Sequence, residues 1–299
     1  MNRRDVARSA LVWTTFGALM AAAALTCLAA PPATAKACVE PRHADDVAYD
    51  LVMAVLVDDT QERTDSFKQK VVEAVAAVAR KPRVRLVLWR FGGVKALPAL
   101  LADVNTLSTS SRKQDLNWLV RVATRPEGSD DADRACTEGK AEEVRNTFLG
   151  RLKVALDVYD GSEEGASPVV LAVDQAVAPF VQGQPAVLLK VLLVSDGLEH
   201  GGKGSVLSFY PVNNQYPPAA EALAKVASLY KGSTWRGAQI SIAGIGVTRT
   251  SDPAGVGALV DIWKAIITTA RSGSVGELST SVPQRLAESP PAPTSAGGK

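Results

Sequence analysis

Tyr49-Asp50-Leu51-Val52-Met53-Ala54-Val55-Leu56-Val57, followed at once by Asp58-Asp59-Thr60-Gln61-Glu62, is a nearly continuous apolar run that stops in oxygen-bearing side chains. So little polar interruption predicts a strand buried on both faces, as in a parallel sheet covered by helices. A second such run, Val187-Leu188-Leu189-Lys190-Val191-Leu192-Leu193-Val194, stops in Ser195-Asp196-Gly197. These two strands anchor the rest of the reading.

Outward from them, the period of the apolar residues alternates between helix and strand. Phe67, Val71, Val75 and Val78 share one helical face over 66–80, and Pro82 ends it. Val84, Leu86 and Leu88 alternate with Arg85, Val87 and Trp89 in a strand, and Gly92-Gly93 turns the chain toward a third strand over 94–101. Residues 125–140, with Gly128, Asp130, Asp131 and Asp133 around Cys136, read as a polar loop. A helix from 142 aligns Val144, Phe148, Leu152, Ala155 and Tyr159, and Asp160-Gly161 closes it. Ser167-Pro168 opens a helix carrying Val169, Val173, Val177 and Phe180, with a kink or an end at Pro179. Pro217-Pro218 opens another with Leu223, Val226 and Tyr230 facing inward. A strand over 240–247 and a helix over 259–271, with Trp263 in the core, complete the series. The expected architecture is α/β: a doubly wound, mostly parallel open sheet with helices on both faces, Rossmann-like in its layering.

The ends of the chain read differently. Arg3, Arg4 and Arg8 precede an uncharged stretch over 10–30, then Pro31-Pro32 and the small-residue sites Ala33-Thr34-Ala35 and Ala35-Lys36-Ala37. This pattern predicts a signal peptide over 1–35 and a periplasmic or secreted protein. The alternative is an uncleaved anchor in the membrane, since about 20 uncharged residues can span a bilayer. Asn2-Arg3-Arg4-Asp5-Val6 also has the paired arginines of a twin-arginine leader. An arm over 36–47 leads into a domain over 48–282, and the Pro-, Ala- and Ser-rich stretch 283–299 reads as a disordered tail. With Cys27 removed in the leader, Cys38 and Cys136 remain, an even pair that reads as a disulfide, against two free thiols as the alternative.

Composition narrows the function classes. Of 299 residues, 46% are hydrophobic and 21% charged, which excludes wholesale disorder. A net charge of +2 gives no electrostatic footprint for a nucleic-acid partner.

In doubly wound sheets, ligands sit beyond the carboxyl ends of the strands. Asp58, Asp59, Thr60, Ser167, Ser195 and Asp196 are all expected on that rim. Carboxylates with hydroxyls between them suit a hard divalent cation that takes oxygen ligands and keeps waters. Each residue also has a plainer use. Ser167 can cap the helix after it, Thr60 or Thr64 the helix after them, and Asp196-Gly197 can be turn chemistry.

From residue 49 to 278 the chain resembles the von Willebrand factor A family. The likeness lies in the order of elements and in three local stretches. Val55-Leu56-Val57-Asp58-Asp59-Thr60 resembles the first strand with its Asp-x-Ser-x-Ser metal motif, and Ser167 stands at the place of the family's loop threonine. Val191-Leu192-Leu193-Val194-Ser195-Asp196-Gly197 is similar to the strand ending in Thr-Asp-Gly, with Ile240-Ser241-Ile242-Ala243-Gly244-Ile245-Gly246-Val247 as the next. The resemblance implies a degenerate metal-ion-dependent adhesion site, holding Mg2+ on Asp58, Thr60, Ser167 and Asp196 and capturing an acidic group of a protein partner. It departs at Glu62, where the motif has its second serine. Glu62 either ligates the ion or salt-bridges Arg63 or Lys68. Family members often work in assemblies at membranes, which implies an envelope or secretion complex.

The rival reading is a metal-assisted hydrolase with Asp58, Asp59 and Asp196 on the ion and His200 or Glu62 as general base. Neither a Gly-x-Ser-x-Gly elbow nor a His-Glu-x-x-His helix occurs, so a binding module is expected rather than an enzyme. Gly244-Ile245-Gly246 lacks the third glycine of a dinucleotide fingerprint, and Gly201-Gly202-Lys203-Gly204-Ser205 lacks the spacing of a phosphate loop.

Overall fold

Every residue of the first strand is buried, the condition its unbroken apolar run predicts. The computed structural model describes residues 50–81, 84–94, 98–106, 130–161, 165–181, 188–201, 207–213, 215–247 and 252–288. By internal contacts the chain divides into Met1–Val39 and Glu40–Lys299, and the described residues all belong to the second unit. The leader, the arm over 36–47 and Cys38 lie outside the described residues.

The described elements run β1 (Leu51–Asp58), α1 (Asp65–Ala79), β2 (Val84–Phe91), β3 (Ala99–Thr106), α2 (Asp130–Asp157), α3 (Val169–Val181), β4 (Leu188–Val194), α4 (Ala219–Leu229), β5 (Ala238–Ala243), α5 (Pro253–Ala265) with a π turn at Ile266–Ala270, and β6 (Ser274–Ser279). They build one six-stranded sheet in the order β3-β2-β1-β4-β5-β6. All neighbours are parallel except β2 and β3, which are antiparallel. The mostly parallel, doubly wound arrangement expected from the sequence is the one observed.

Strand periodicity divides the core in two. Val52, Ala54 and Leu56 of β1 pack with α3, α4 and α5 on one face. Met53, Val55 and Val57 pack with α1 and α2 on the other. Because side chains of a strand alternate in direction, one apolar run supplies both layers. Thr64 caps α1 by accepting a hydrogen bond from Phe67 N at 3.3 Å.

Four local expectations are corrected. The loop expected over 125–140 is helical wherever it is described: α2 begins at Asp130 and runs 28 residues, with Cys136 inside it. Asp130, Asp131 and Asp133 fall in the first turn, where acidic side chains suit a helix N-terminus, and the helix formers Arg134, Ala135, Glu138, Lys140 and Ala141 follow. Tyr159, expected on the inner face of that helix, lies beyond its end and is exposed. The strand expected to reach 247 stops at Ala243, because Gly244 and Gly246 take φ values of +94° and +68° and turn the chain. The tail expected to be disordered from 283 is packed as far as 288. Leu286 is buried, and Lys190 Nζ, itself buried, donates to Leu286 O at 2.8 Å and also to Glu288 O, while Lys81 Nζ donates to Ala287 O. Two ammonium groups thus satisfy three successive carbonyls, which fixes a segment with little apolar surface of its own.

Candidate functional site

The parallel register pairs Val57 with Val194, so β1 and β4 leave the sheet side by side. Asp58 and Ser195 follow as neighbours, and Ser195 Oγ donates to Asp58 Oδ2 at 2.7 Å. Gly246 N donates to Asp196 O at 2.8 Å, which ties the β4 exit to the turn after β5. The loop before α3 reaches the same rim because it is clamped on both sides. Ala166 N donates to Gly93 O at 3.2 Å, Ser167 N to His200 O at 2.6 Å, and His200 N to Ser167 O at 2.9 Å. Segments more than a hundred residues apart in sequence therefore meet where the sequence placed them.

Asp58 is the centre of the cluster and is fully buried. Its Oδ1 accepts from Thr60 N at 3.0 Å and from Thr60 Oγ1 at 2.7 Å. Its Oδ2 accepts from Ser167 Oγ and from Ser195 Oγ, both at 2.7 Å. Charge-assisted bonds of this length are the strong kind, and four of them hold one carboxylate. Close approach of β2 is part of the arrangement. Gly92 has φ +89°, and a Cβ there would lie 2.7 Å from Asp58 Oδ1. A side chain at this position would collide with the carboxylate.

Asp58, Thr60 and Ser167 are thus joined directly. Asp196 stands on the same rim, buried, with Oδ1 accepting from Leu198 N at 3.0 Å. Glu62 does not follow either course expected for it as an ion-pair partner. It is exposed, Lys68 pairs with Asp65 and Asp157, and Arg63 turns inward. The third hydroxyl on Asp58 comes from Ser195. Asp59 is committed elsewhere, its Oδ2 accepting from Arg90 Nε at 2.6 Å. Burial pushes the Asp59 carboxyl up to about 6, against the lowering effect of Arg90.

Two groups at the rim have roles that the sequence reading does not assign. Ser195 is expected on the rim but not in the ligand set, and its hydroxyl completes the Asp58 cluster. Arg63 gives no signal at all, since a lone arginine is expected at the surface. It is buried; Nη2 donates to Asp58 O, and Nη1 to Val158 O at 3.3 Å and Leu156 O at 3.5 Å. Burial lowers its pKa, opposed by the charges of Asp58, Asp59 and Asp196. The guanidinium is therefore the internal counter-charge of the rim, and it joins the β1 exit to the end of α2.

Glu199 lies just past the rim and is buried, with Oε2 accepting from Val170 N at 2.7 Å near the start of α3. Burial is the main cause that pushes its carboxyl up to about 8 from the ordinary 4.5, with Asp58 adding to the rise and the Val170 amide opposing it. A folded-state pKa above the unfolded value means that the folded protein holds this proton more tightly. The resulting stability is complete below about 4.5 and is lost as pH rises to about 8. Glu199→Gln keeps an acceptor for Val170 N and removes the ionisation. Urea midpoints measured from about pH 5 to about pH 9 should fall less for the variant than for the wild type. Equal slopes would show that Glu199 contributes nothing to the pH dependence.

The rim opens into a cleft of about 290 Å3 lined by Thr60, Ser167, His200, Tyr159, Asp160 and Tyr210 among others. Thr60 and Ser167 each have one hydroxyl hydrogen, and Asp58 takes it, so toward any further ligand they present lone pairs. Such oxygens, with carboxylates behind them, fit a hard divalent cation that retains part of its water shell. Among the described residues, no group of three or more His, Cys, Asp or Glu is placed to hold a metal ion, so an ion here would rely on the hydroxyl oxygens and on water. Also among the described residues, no helix is long and apolar enough to cross a membrane.

No family model and no curated protein matches the chain. Among solved structures, the chain is similar to the pilus adhesin SpaC from Lactobacillus rhamnosus GG in its open conformation, at 11% identity over 78% of this chain and 28% of that one, with a TM-score of 0.43. It is similar to a von Willebrand factor type A protein from Catenulispora acidiphila at 14% identity over 81% of this chain and 41% of that one, with a TM-score of 0.37. It is also similar to BatB from Bacteroides thetaiotaomicron at 14% identity over 77% of this chain and 91% of that one, with a TM-score of 0.29. The chain spans less than half the length of the first two. Likenesses this distant bear on fold alone. The strand order and the meeting of the β1 and β4 exits with the loop before α3 are features of this chain itself. On those features, the chain carries a doubly wound, mostly parallel α/β domain with its candidate site at the β1 and β4 exits.

Proposed function

We propose that this domain is an exported binding module that captures an acidic side chain of a protein partner through a divalent cation, Mg2+ in the first instance, held by Asp58, Thr60, Ser167 and Asp196. The observation that supports the reading is the Asp58 cluster, in which one carboxylate takes the hydrogens of three hydroxyls from three separate segments. Turn chemistry and helix capping need no such convergence. Thr60 and Ser167 offer their oxygens to the ion. Asp58 and Asp196 supply the negative charge that holds it, and Arg63 prevents that charge from becoming excessive. The cation supplies the positive charge that an incoming carboxylate requires. Export follows from the leader read over 1–35, and places the module in the periplasm or outside the cell.

Calorimetric titration with Mg2+, repeated with Mn2+, tests the reading. The purified protein should show a single saturable site. Asp196→Ala should abolish it, and Ser167→Ala should weaken it by about tenfold or more, the usual cost of disturbing the shell of a metal site. Thermal melts of both variants should show that they remain folded. Absence of saturable binding to folded wild-type protein would remove the ion from the account.

A further inference from the structure

An ion on this rim relies on hydroxyl oxygens and on water, and the waters it keeps need acceptors for their hydrogens. Most carboxylate oxygens nearby are committed. Each oxygen of Asp58 already takes two hydrogens. Glu199 Oε2 accepts from Val170 N, and Asp59 Oδ2 from Arg90 Nε. Two buried side-chain oxygens at the β1 exit have no hydrogen-bond partner among the described residues, Asp59 Oδ1 and Gln61 Oε1. They flank Thr60 in the chain. The Asp59 side chain is drawn toward β2 by Arg90; that of Gln61 takes another course.

Gln61 stands between the exits of β1 and β4. Its backbone N donates to Asp58 O at 3.4 Å. Its side chain lies against the turn after β5: a Cβ on Gly244 would be 2.6 Å from Gln61 Nε2 and 3.4 Å from Ser195 O. Gly244, at φ +94°, admits the amide because it has no side chain. The same turn holds the β4 exit, since Gly246 N donates to Asp196 O. Gln61 is only 2% exposed, although glutamines are mostly solvated. Burying an amide oxygen without a donor costs stability, and a methionine fills a similar volume without that cost. The residue present therefore works against the fold. Such departures are expected where function sets the choice of residue.

We infer that Gln61 is a positioning residue of the proposed cation site, its amide oxygen accepting a hydrogen from a water that the ion retains. The inference rests on the cation reading above and adds a residue to it. A fixed acceptor orients that water, and with it the shell in which the partner's carboxylate takes its place.

Mg2+ calorimetry and urea unfolding test the inference, with wild type, Gln61→Met and Gln61→Glu. Methionine keeps the length of the side chain and removes the oxygen. Gln61→Met should unfold at the same urea concentration as wild type or a higher one, yet bind Mg2+ about tenfold more weakly. A packing role gives no such loss of affinity in a variant that is no less stable. Glutamate keeps an acceptor oxygen and adds negative charge, so Gln61→Glu should bind at least as tightly as wild type. Wild-type affinity in Gln61→Met overturns the inference and leaves the cation reading in place, as does a Gln61→Glu variant that binds no better than Gln61→Met. A clear loss of stability in Gln61→Met also overturns it, because the amide would then be serving the fold. Absence of saturable binding to wild type removes the cation reading and this inference with it.

Discussion

Asp58→Ala should lower the free energy of unfolding by about 3–5 kcal/mol, the usual cost of removing one partner from a buried charged network. The side chain is fully buried and accepts four hydrogen bonds. Alanine leaves the hydroxyls of Thr60, Ser167 and Ser195 and the amide of Thr60 without their acceptor, at a site where water has little access. It also leaves the buried Arg63 guanidinium with less compensating charge. Asp58→Asn keeps the shape and one acceptor oxygen, so part of the loss should return. Both variants should fail to bind Mg2+. Urea unfolding measures the first effect; a loss below about 1 kcal/mol for the alanine variant would place Asp58 among ordinary substitutions and dissolve the cluster described here.

Trp263→Ala should cost a similar amount, about 3–5 kcal/mol, for a different reason. The ring is fully buried in the α5 layer and meets Phe209 edge-on at 5.9 Å. Alanine leaves a cavity that the surrounding helices fill only in part. The indole does more than occupy volume, because its Nε1 donates to Gly197 O at 2.8 Å, one residue past Asp196. Gly197 has φ +76°, and a Cβ there would lie 2.9 Å from the same nitrogen. Trp263→Phe should therefore cost less stability, about 1–3 kcal/mol, yet still weaken ion binding by freeing the Asp196–Gly197 turn. Comparison of unfolding midpoints with calorimetric affinities in the two variants separates packing from positioning. Unchanged affinity in folded Trp263→Phe would limit Trp263 to packing.

The sheet is legible because its central strands are buried on both faces, and an unbroken apolar run of that length fits little else than a strand between two layers. β6 is not legible as a strand. Ser274-Val275-Gly276-Glu277-Leu278-Ser279 is an edge strand, half-buried at most positions, and Gly276 sits inside it where a Cβ would lie 2.1 Å from Ser241 Oγ. Its pattern is set by one neighbour and not by two layers. The packed segment before residue 288 is illegible for a related reason, since its partners Lys81 and Lys190 act on backbone carbonyls, which leave no trace in side-chain pattern.

The rim is half legible. Short polar residues at the ends of apolar runs announce themselves, so Asp58, Thr60, Ser167 and Asp196 can be named, and the structure joins the first three by hydrogen bonds. The balance of charge there leaves no such mark. Arg63 is buried there and donates to backbone carbonyls at the end of α2. A buried arginine looks like a surface arginine in sequence, because its partners are backbone atoms brought near only by folding.

The most direct test of the central claim locates the ion, beyond detecting it. Mn2+ titrated into isotope-labelled protein should broaden the backbone amide signals of Asp58, Thr60, Ser167 and Asp196 first, at substoichiometric metal, and excess Mg2+ should restore them. Broadening centred elsewhere, or none at these four amides in a folded sample, would contradict a cation on this rim.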